Sequence, residues 1–169
     1  MTLAARPARL DDAEAIARIY NQGIEDRVAT FETEPRQPSH VAALLAARQG
    51  THPAVVVERD RELIAFAWSS PYSDRPCYAG IGEFSVYVAR EARGAGAGSI
   101  ALRALLQACE RAGLWKVVSK VFVENATSRR LCASAGFSEV GVHRRHARLD
   151  GEWRDVVVVE RLLGEANLP

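Results

Sequence analysis

The sequence predicts an α/β (α+β) fold, a mixed sheet with helices packed on its faces. Three observations carry this prediction. Apolar residues alternate between period-2 runs and helical spacing, in the order β-α-α-β-β-β-α-β-α-β-β. A glycine-rich turn, Arg93-Gly-Ala-Gly-Ala-Gly98-Ser99, stands between a strand and a helix. An Asp150-Gly151 pair between two apolar runs marks a tight hairpin.

After a leading strand, Asp11 or Asp12 is placed to cap a helix in which Ala15, Ile16, Ile19, Tyr20 and Ile24 recur at helical spacing. Pro35 and Pro38 interrupt the next stretch, and Ser39 is the expected cap of a short helix through Val41, Leu44 and Leu45. Ala54–Glu58 and Leu63–Ser70 are rich in Val, Ile and aromatics and flank Arg59-Asp60-Arg61-Glu62, the pattern of an antiparallel hairpin. Pro71–Gly82 reads as a loop, and Phe84–Val88 alternates as a strand. The glycine turn then opens a helix with Ile100, Leu102, Leu105, Leu106 and Cys109 on one side, ended by Gly113. Trp115–Val123 is a strand and Asn125–Ala135 a short helix stopped by Gly136. Phe137–Arg148 and Trp153–Leu162 are the closing strands. With no internal repeat or long linker, residues 1–169 read as one domain.

Composition narrows the function. The 169 residues are 48% hydrophobic and 25% charged, enough apolar surface for one core and too much for a disordered chain. A net charge of +1 argues against an electrostatic binder of nucleic acid or membrane. No uncharged stretch reaches the ~20 residues of a membrane span, and the N-terminus lacks the apolar core of a secretory signal. Cys77, Cys109 and Cys132, an odd count without a pairing motif, fit reduced thiols and the cytoplasm.

The glycine turn is a backbone anion cradle in principle, because glycine lets the chain approach a ligand and the first helical turn offers free N–H groups. A nucleotide-triphosphatase loop needs a lysine after its last glycine, and none is present. A dinucleotide fingerprint needs an acidic residue near the end of the next strand, where Val117-Val-Ser-Lys120 stands. A turn that only packs helix on sheet is the plainest alternative.

The spacing Arg-x-x-Gly-x-Gly at Arg93, Gly96 and Gly98 resembles the coenzyme A loop of the GNAT acetyltransferase superfamily. Asn125-Ala-Thr-Ser128-Arg-Arg-Leu131-Cys-Ala-Ser-Ala-Gly136-Phe137 resembles its second motif. Ile24-Glu25, Thr30-Phe31-Glu-Thr33-Glu34-Pro35, Glu83-Phe-Ser-Val86-Tyr87-Val88 and Gly151-Glu-Trp153-Arg-Asp155 look like the phosphinothricin and methionine sulfoximine N-acetyltransferases. That group also includes enzymes acting on arsinothricin.

The resemblance implies a mostly antiparallel sheet of about seven strands flanked by about four helices, acetyl-CoA as co-substrate, no metal and a homodimer. It implies acetylation of the α-amino group of a small glutamate-like toxic amino acid, which confers resistance. Glu83 matches the family's catalytic glutamate, on one strand face with Ser85 and Tyr87, where a cleft would partly desolvate it. Its plain alternative is a solvated carboxylate at a strand end. The pantetheine arm is expected along the backbone of Val86, Tyr87 and Val88. The pyrophosphate is expected on Arg93, Gly94, Ala95, Gly96, Ala97, Gly98 and Ser99. Asn125 and Ser128 combine a helix-cap role with contact to the cofactor arm. For the acceptor, Arg75 is the expected clamp on an acidic group, with Phe31, Glu34 and Tyr78 bordering the pocket.

Where many superfamily members carry a tyrosine that protonates the leaving thiolate, this chain has Cys132, read as a packing residue along with Cys109. Cys77, in the loop, lacks the histidine and carboxylate a nucleophile needs. His143 and His146, three apart on a strand, are expected on opposite faces, which disfavours zinc. Arg144, Arg145 and Arg148 read as a solvated or dimer-facing edge, and Trp153 as packed locally. Two other functions fit the same fold: acetylation of peptide N-termini, and a non-catalytic coenzyme A sensor.

Overall fold

The structure, a computed structural model, describes residues 2–169. Its strands are β1 (Leu3–Pro7), β2 (Ala54–Arg59), β3 (Glu62–Pro71), β4 (Ile81–Val88), β5 (Lys116–Phe122), β6 (Ser138–Leu149) and β7 (Glu152–Leu162). Its α-helices are α1 (Ala13–Asp26), α2 (Pro38–Arg48), α3 (Ala97–Arg111) and α4 (Ala126–Ser134). The strands form one sheet in the order β1-β2-β3-β4-β5-β7-β6. Only β4 and β5 run parallel, and α3 makes the crossover between them. The mixed, mostly antiparallel sheet with flanking helices is the architecture the sequence implied.

Both expected hairpins form. Asp60 and Arg61 join β2 to β3 with φ of 51° and 69°, and Asp150-Gly151 joins β6 to β7 with φ of 50° and 80°. Positive φ at both central residues gives the turn a twist that matches the flanking strands.

The two faces of the sheet are told apart at β4. A Cβ on Gly23 of α1 would meet the Tyr87 ring at 2.7 Å. A Cβ on Gly98 of α3 would meet Val88 Cγ2 at 3.3 Å and Leu131 of α4 at 3.5 Å. Tyr87 and Val88 point to opposite faces, so α1 covers one face and α3 with α4 the other. Strand β3 is accordingly buried from Leu63 through Ser69. Ile16, Ile19, Phe66, Leu102 and Leu105 are almost fully enclosed there, each contributing about 1.5–3 kcal/mol by leaving water.

Two expected helix caps are corrected. Asp12 holds the N-cap position of α1 but bonds none of that helix's N–H groups; its carboxylate takes Arg6 Nη1 and Nη2 at 2.8 and 2.9 Å and, closing the 3-10 turn Leu10–Asp12, the Arg9 N–H at 2.7 Å. The guanidinium is the stronger donor, so Asp12 braces β1 against the turn into α1 instead. Ser39 lies inside the first turn of α2, which starts from Gln37 with Pro38 at the first helical position, where a missing N–H costs nothing. The loop Pro71–Gly82 is shorter than expected, because β3 runs to Pro71 and β4 begins at Ile81.

Candidate active site

Strands β4 and β5 part company halfway. Their parallel pairing covers only Ile81–Glu83 against Lys116–Val118. Beyond that, β4 follows β3 while β5 follows β7. Ser119 Oγ donates to the Phe84 carbonyl at 2.9 Å across the opening gap. Since peptide groups alternate in direction along an antiparallel strand, the N–H and C=O groups of Val86 and Val88 also face this gap. A channel of about 70 Å³ lies there, bounded by Val86 and Tyr87 on β4, Lys120 on β5, and Asn125, Ser128 and Cys132 of the α4 region.

At the C-terminal end of β4 the glycine turn opens. Gly94 and Gly96 have φ of 82° and 84°, and a Cβ on either would meet nothing within 4 Å. Gly96 is the N-cap of α3, and the next three N–H groups, from Ala97 to Ser99, have no partner within the helix. An elongated donor ending in a diphosphate fits this gap and cradle: strand-like amides for the arm, helix-end amides for the phosphates. The Arg93 side chain, expected on the phosphates, instead reaches Asp26 Oδ2 at 2.6 Å and donates to the gap-facing Val88 carbonyl at 3.4 Å. Asn125 caps α4 by accepting the Ser128 N–H at 3.1 Å, and donates to the Val28 carbonyl at 3.1 Å.

The channel meets a second cavity of about 440 Å³ on the α1 face of the sheet. The register sets Ser70 opposite Glu83 and Trp68 opposite Ser85, so these four side chains share one face. Glu83 is half-exposed and pairs with Lys120 Nζ at 3.1 Å. Lys120 lines both the channel and the cavity. Around the far wall, Arg36 stacks on the Tyr20 ring at 4.4 Å, and Arg48 lies 5.4 Å from the Trp68 ring centre. Glu32 binds Arg36 through Nη2 at 2.6 Å and accepts the Tyr20 hydroxyl at 2.7 Å. Burial alone would raise the Glu32 carboxyl, but Arg36 and the Tyr20 hydroxyl hold it below its ordinary value. Burial pushes the Tyr20 phenol up to about 12, with the Glu32 hydrogen bond adding to it. Arg48 has no carboxylate partner among the described residues, and burial followed by the charge of Arg36 pulls it below its usual value. The cavity therefore holds cationic charge that an anionic ligand would relieve.

Glu83, Tyr87 and Phe31 of the expected site residues line this cavity, Phe31 edge-on to Phe122 at 4.8 Å. Glu34, Arg75 and Tyr78 do not. Glu34 is exposed beside Pro35, and Arg75 lies 5.5 Å from the Tyr78 ring, which packs edge-on against Tyr72. The aromatic pair holds the loop's arginine to the loop itself. Lys120, Arg36, Arg48, Tyr20 and Trp68 are additions the sequence reading missed.

The histidines are corrected as well. His143 and His146 stack, ring centres 4.8 Å apart and planes 18° from parallel. The strand register shifts between His143 and Ala147, Arg145 takes φ of 49°, and Asp155 Oδ1 holds the Arg145 N–H at 2.7 Å. Arg144, Arg145 and His146 stand against Asp155 alone, a bulge of two extra residues that brings His146 beside His143, where it borders the cavity. Among the described residues no group of three or more potential metal ligands gathers. Cys109 and Cys132 are buried, each thiol pushed up to about 11 by burial, and Cys77 is exposed. Trp153 stacks under Arg148 at 4.3 Å.

The splayed strands β4 and β5 and the glycine turn that follows β4 are features of an acyltransferase fold, and the comparisons agree. The chain matches the Acetyltransferase (GNAT) family over residues 16–137 and belongs to it. It is an acyltransferase. It is 32% identical over 162 residues to the phosphinothricin N-acetyltransferase of Streptomyces coelicolor, covering 94% of this chain and 95% of the relative. It is 34% identical over 169 residues to that of Alcaligenes faecalis, covering 97% and 85%. A GNAT superfamily phosphinothricin acetyltransferase from Sinorhizobium meliloti, solved with acetyl-CoA, matches with a TM-score of 0.92 at 29% identity, covering 99% of this chain and 91% of that one.

Proposed function

We propose that the enzyme transfers the acetyl group of acetyl-CoA to the α-amino group of a small glutamate-like amino acid such as phosphinothricin, methionine sulfoximine or arsinothricin, giving resistance to it. The observation that carries this reading is Glu83, which lines the cavity that holds Arg36 and Arg48 and pairs with Lys120, a residue that also lines the channel between β4 and β5. Trp68, beneath Arg48, lies diagonally across the β3–β4 pair from Glu83, a backbone separation of roughly 7–8 Å. An acidic group held at Arg36 and Arg48 would present the amine of a glutamate-sized molecule toward Glu83.

In this reading the thioester arm pairs with the edge of Val86 and Val88, and their N–H groups polarise its carbonyl. The diphosphate rests on Gly94 to Ser99, with Asn125 and Ser128 beside the arm. Glu83 takes the proton that the amine sheds as it attacks. Phe31 forms an apolar wall. Arg75, Tyr78 and Glu34 lie outside the cavity lining, so in this reading Arg36 and Arg48 take the acid-binding role expected of Arg75.

The reading includes a cytoplasmic homodimer. Val140, Val142 and Trp153 stand about half exposed on β6 and β7, and burying them between two copies would remove this apolar edge from water. Sedimentation at micromolar concentration tests it.

The test of function is a thiol-release assay across the three amino acids and an N-terminal alanine peptide. Turnover of an amino acid above the peptide supports the reading. Preference for the peptide, or no turnover with acetyl-CoA bound, overturns it.

A further inference from the structure

Acyl transfer ends with a sulfur atom carrying negative charge, and the structure offers few groups to protonate it. Cys132, standing where related enzymes often place an acid, is 3% exposed, and burial makes its thiol a weaker acid than usual. The Ser119 hydroxyl is engaged by the Phe84 carbonyl. The Tyr87 ring is wedged against Gly23 and stacked on Phe66 at 5.5 Å, and burial drives its phenol pKa far up.

The Ser85 and Ser128 hydroxyls also line the channel, but a serine hydroxyl is a far weaker acid than an ammonium, which leaves one side chain. Among the described residues Lys120 is the only cation that lines both the channel and the acceptor cavity. Its ammonium has three N–H donors, and Glu83 Oε1, at 3.1 Å, engages one of them. Its place on β5, paired with Val158 of β7, sets it across the gap from Ser85 to Tyr87.

We propose that Lys120 protonates the departing thiolate, supplying from β5 the acid that α4 lacks. The inference rests on the function proposed above, in which the thioester lies in the gap and Glu83 is the base. The protons balance. The neutral amine attacks the carbonyl carbon, a C–N bond forms, and Glu83 takes a proton from the new nitrogen. The C–S bond breaks with its electron pair on sulfur, and Lys120 gives that sulfur an N–H proton. The proton on Glu83 then crosses to the Lys120 nitrogen and restores the ion pair. The net result carries one proton from nitrogen to sulfur without a further reactant. As Glu83 becomes neutral, the Lys120 charge is also freed to face the sulfur, where negative charge is growing.

The test compares Lys120→Met and Lys120→Arg with the wild type, using acetyl-CoA and an S-acetyl aryl thioester whose thiolate leaves without protonation. The acceptor is whichever amino acid or peptide the wild type acetylates fastest, so a different substrate class overturns the proposed function and still tests this inference. Lys120→Met should lose about 10²-fold in kcat with acetyl-CoA at unchanged KM, but under about tenfold with the aryl thioester. Lys120→Arg keeps the charge yet releases no proton at neutral pH, so it should stay slow with acetyl-CoA. An equal loss with both donors would make Lys120 a positioning partner of Glu83 and overturn the inference. So would full activity of either variant. Acetyl-CoA binding by calorimetry shows that each variant is folded.

Discussion

Lys120 Nζ lies 3.1 Å from Glu83 Oε1, across the seam where β4 and β5 separate. The two side chains are 38% and 35% exposed, so water screens the pair, and its stabilisation amounts to about 0–1 kcal/mol. Lys120→Met should therefore leave the thermal unfolding midpoint nearly unchanged while slowing turnover. A melting temperature lowered by the equivalent of more than about 2 kcal/mol would make Lys120 a structural residue.

Arg48 carries a half-buried charge without a carboxylate partner, stacked on Trp68 in the acceptor cavity. Arg48→Gln should raise KM for an acidic acceptor by about 10- to 100-fold, the loss of one charge-assisted hydrogen bond, with KM for acetyl-CoA unchanged. Steady-state kinetics varying each substrate in turn checks this. An equal rise in both would remove Arg48 from acceptor binding.

Gly96 and Gly113 bracket α3 with φ of 84° and 86°, so alanine at either strains the backbone by about 1–2 kcal/mol. Only Gly96 shapes the cradle. Gly96→Ala should weaken acetyl-CoA binding about tenfold by calorimetry, whereas Gly113→Ala should lose similar stability and keep its affinity. Matching affinities in the two variants would argue against the cradle.

Arg6 donates to both oxygens of Asp12 and also to Glu58. The Arg6 hydrogen bonds hold the Asp12 carboxyl below its usual range, outweighing burial. The folded state thus binds this proton more weakly than the unfolded chain. The stabilisation is complete above the unfolded pKa of about 3.9 and is lost as pH falls through the lower folded value. Urea unfolding should show stability falling below about pH 4, and Asp12→Asn should cost about 1–3 kcal/mol at neutral pH and flatten that decline. An unchanged acid slope would place the loss elsewhere.

Features fixed by local geometry were legible in the sequence. The glycine turn, the Asp150-Gly151 hairpin and the Asn125 cap depend on residues within a few positions of one another, and each appears as expected. Glu83 was singled out through a motif, and its pairing with Val118, the last between β4 and β5, sets it at the seam. The features that escaped depend on distant partners. Asp12 resembled a cap until Arg6 reached it from β1. A strict period of two put His143 and His146 on opposite faces, and the bulge at Arg145 reversed that. Arg36 and Arg48 gain their meaning from Tyr20 and Trp68, on other elements. Lys120 left only a faint trace, a lysine out of phase with the buried Val117 and Val121, and its partner Glu83 lies on a neighbouring strand that the sequence does not name.

The most direct measurement of the account is the turnover of Glu83→Gln at neutral pH with acetyl-CoA saturating. The base assignment predicts a fall in kcat of at least about 10²-fold, with acetyl-CoA affinity preserved because the cradle and the β4 edge are untouched. A variant that keeps both its affinity and its rate, within about a factor of two, would contradict a catalytic Glu83.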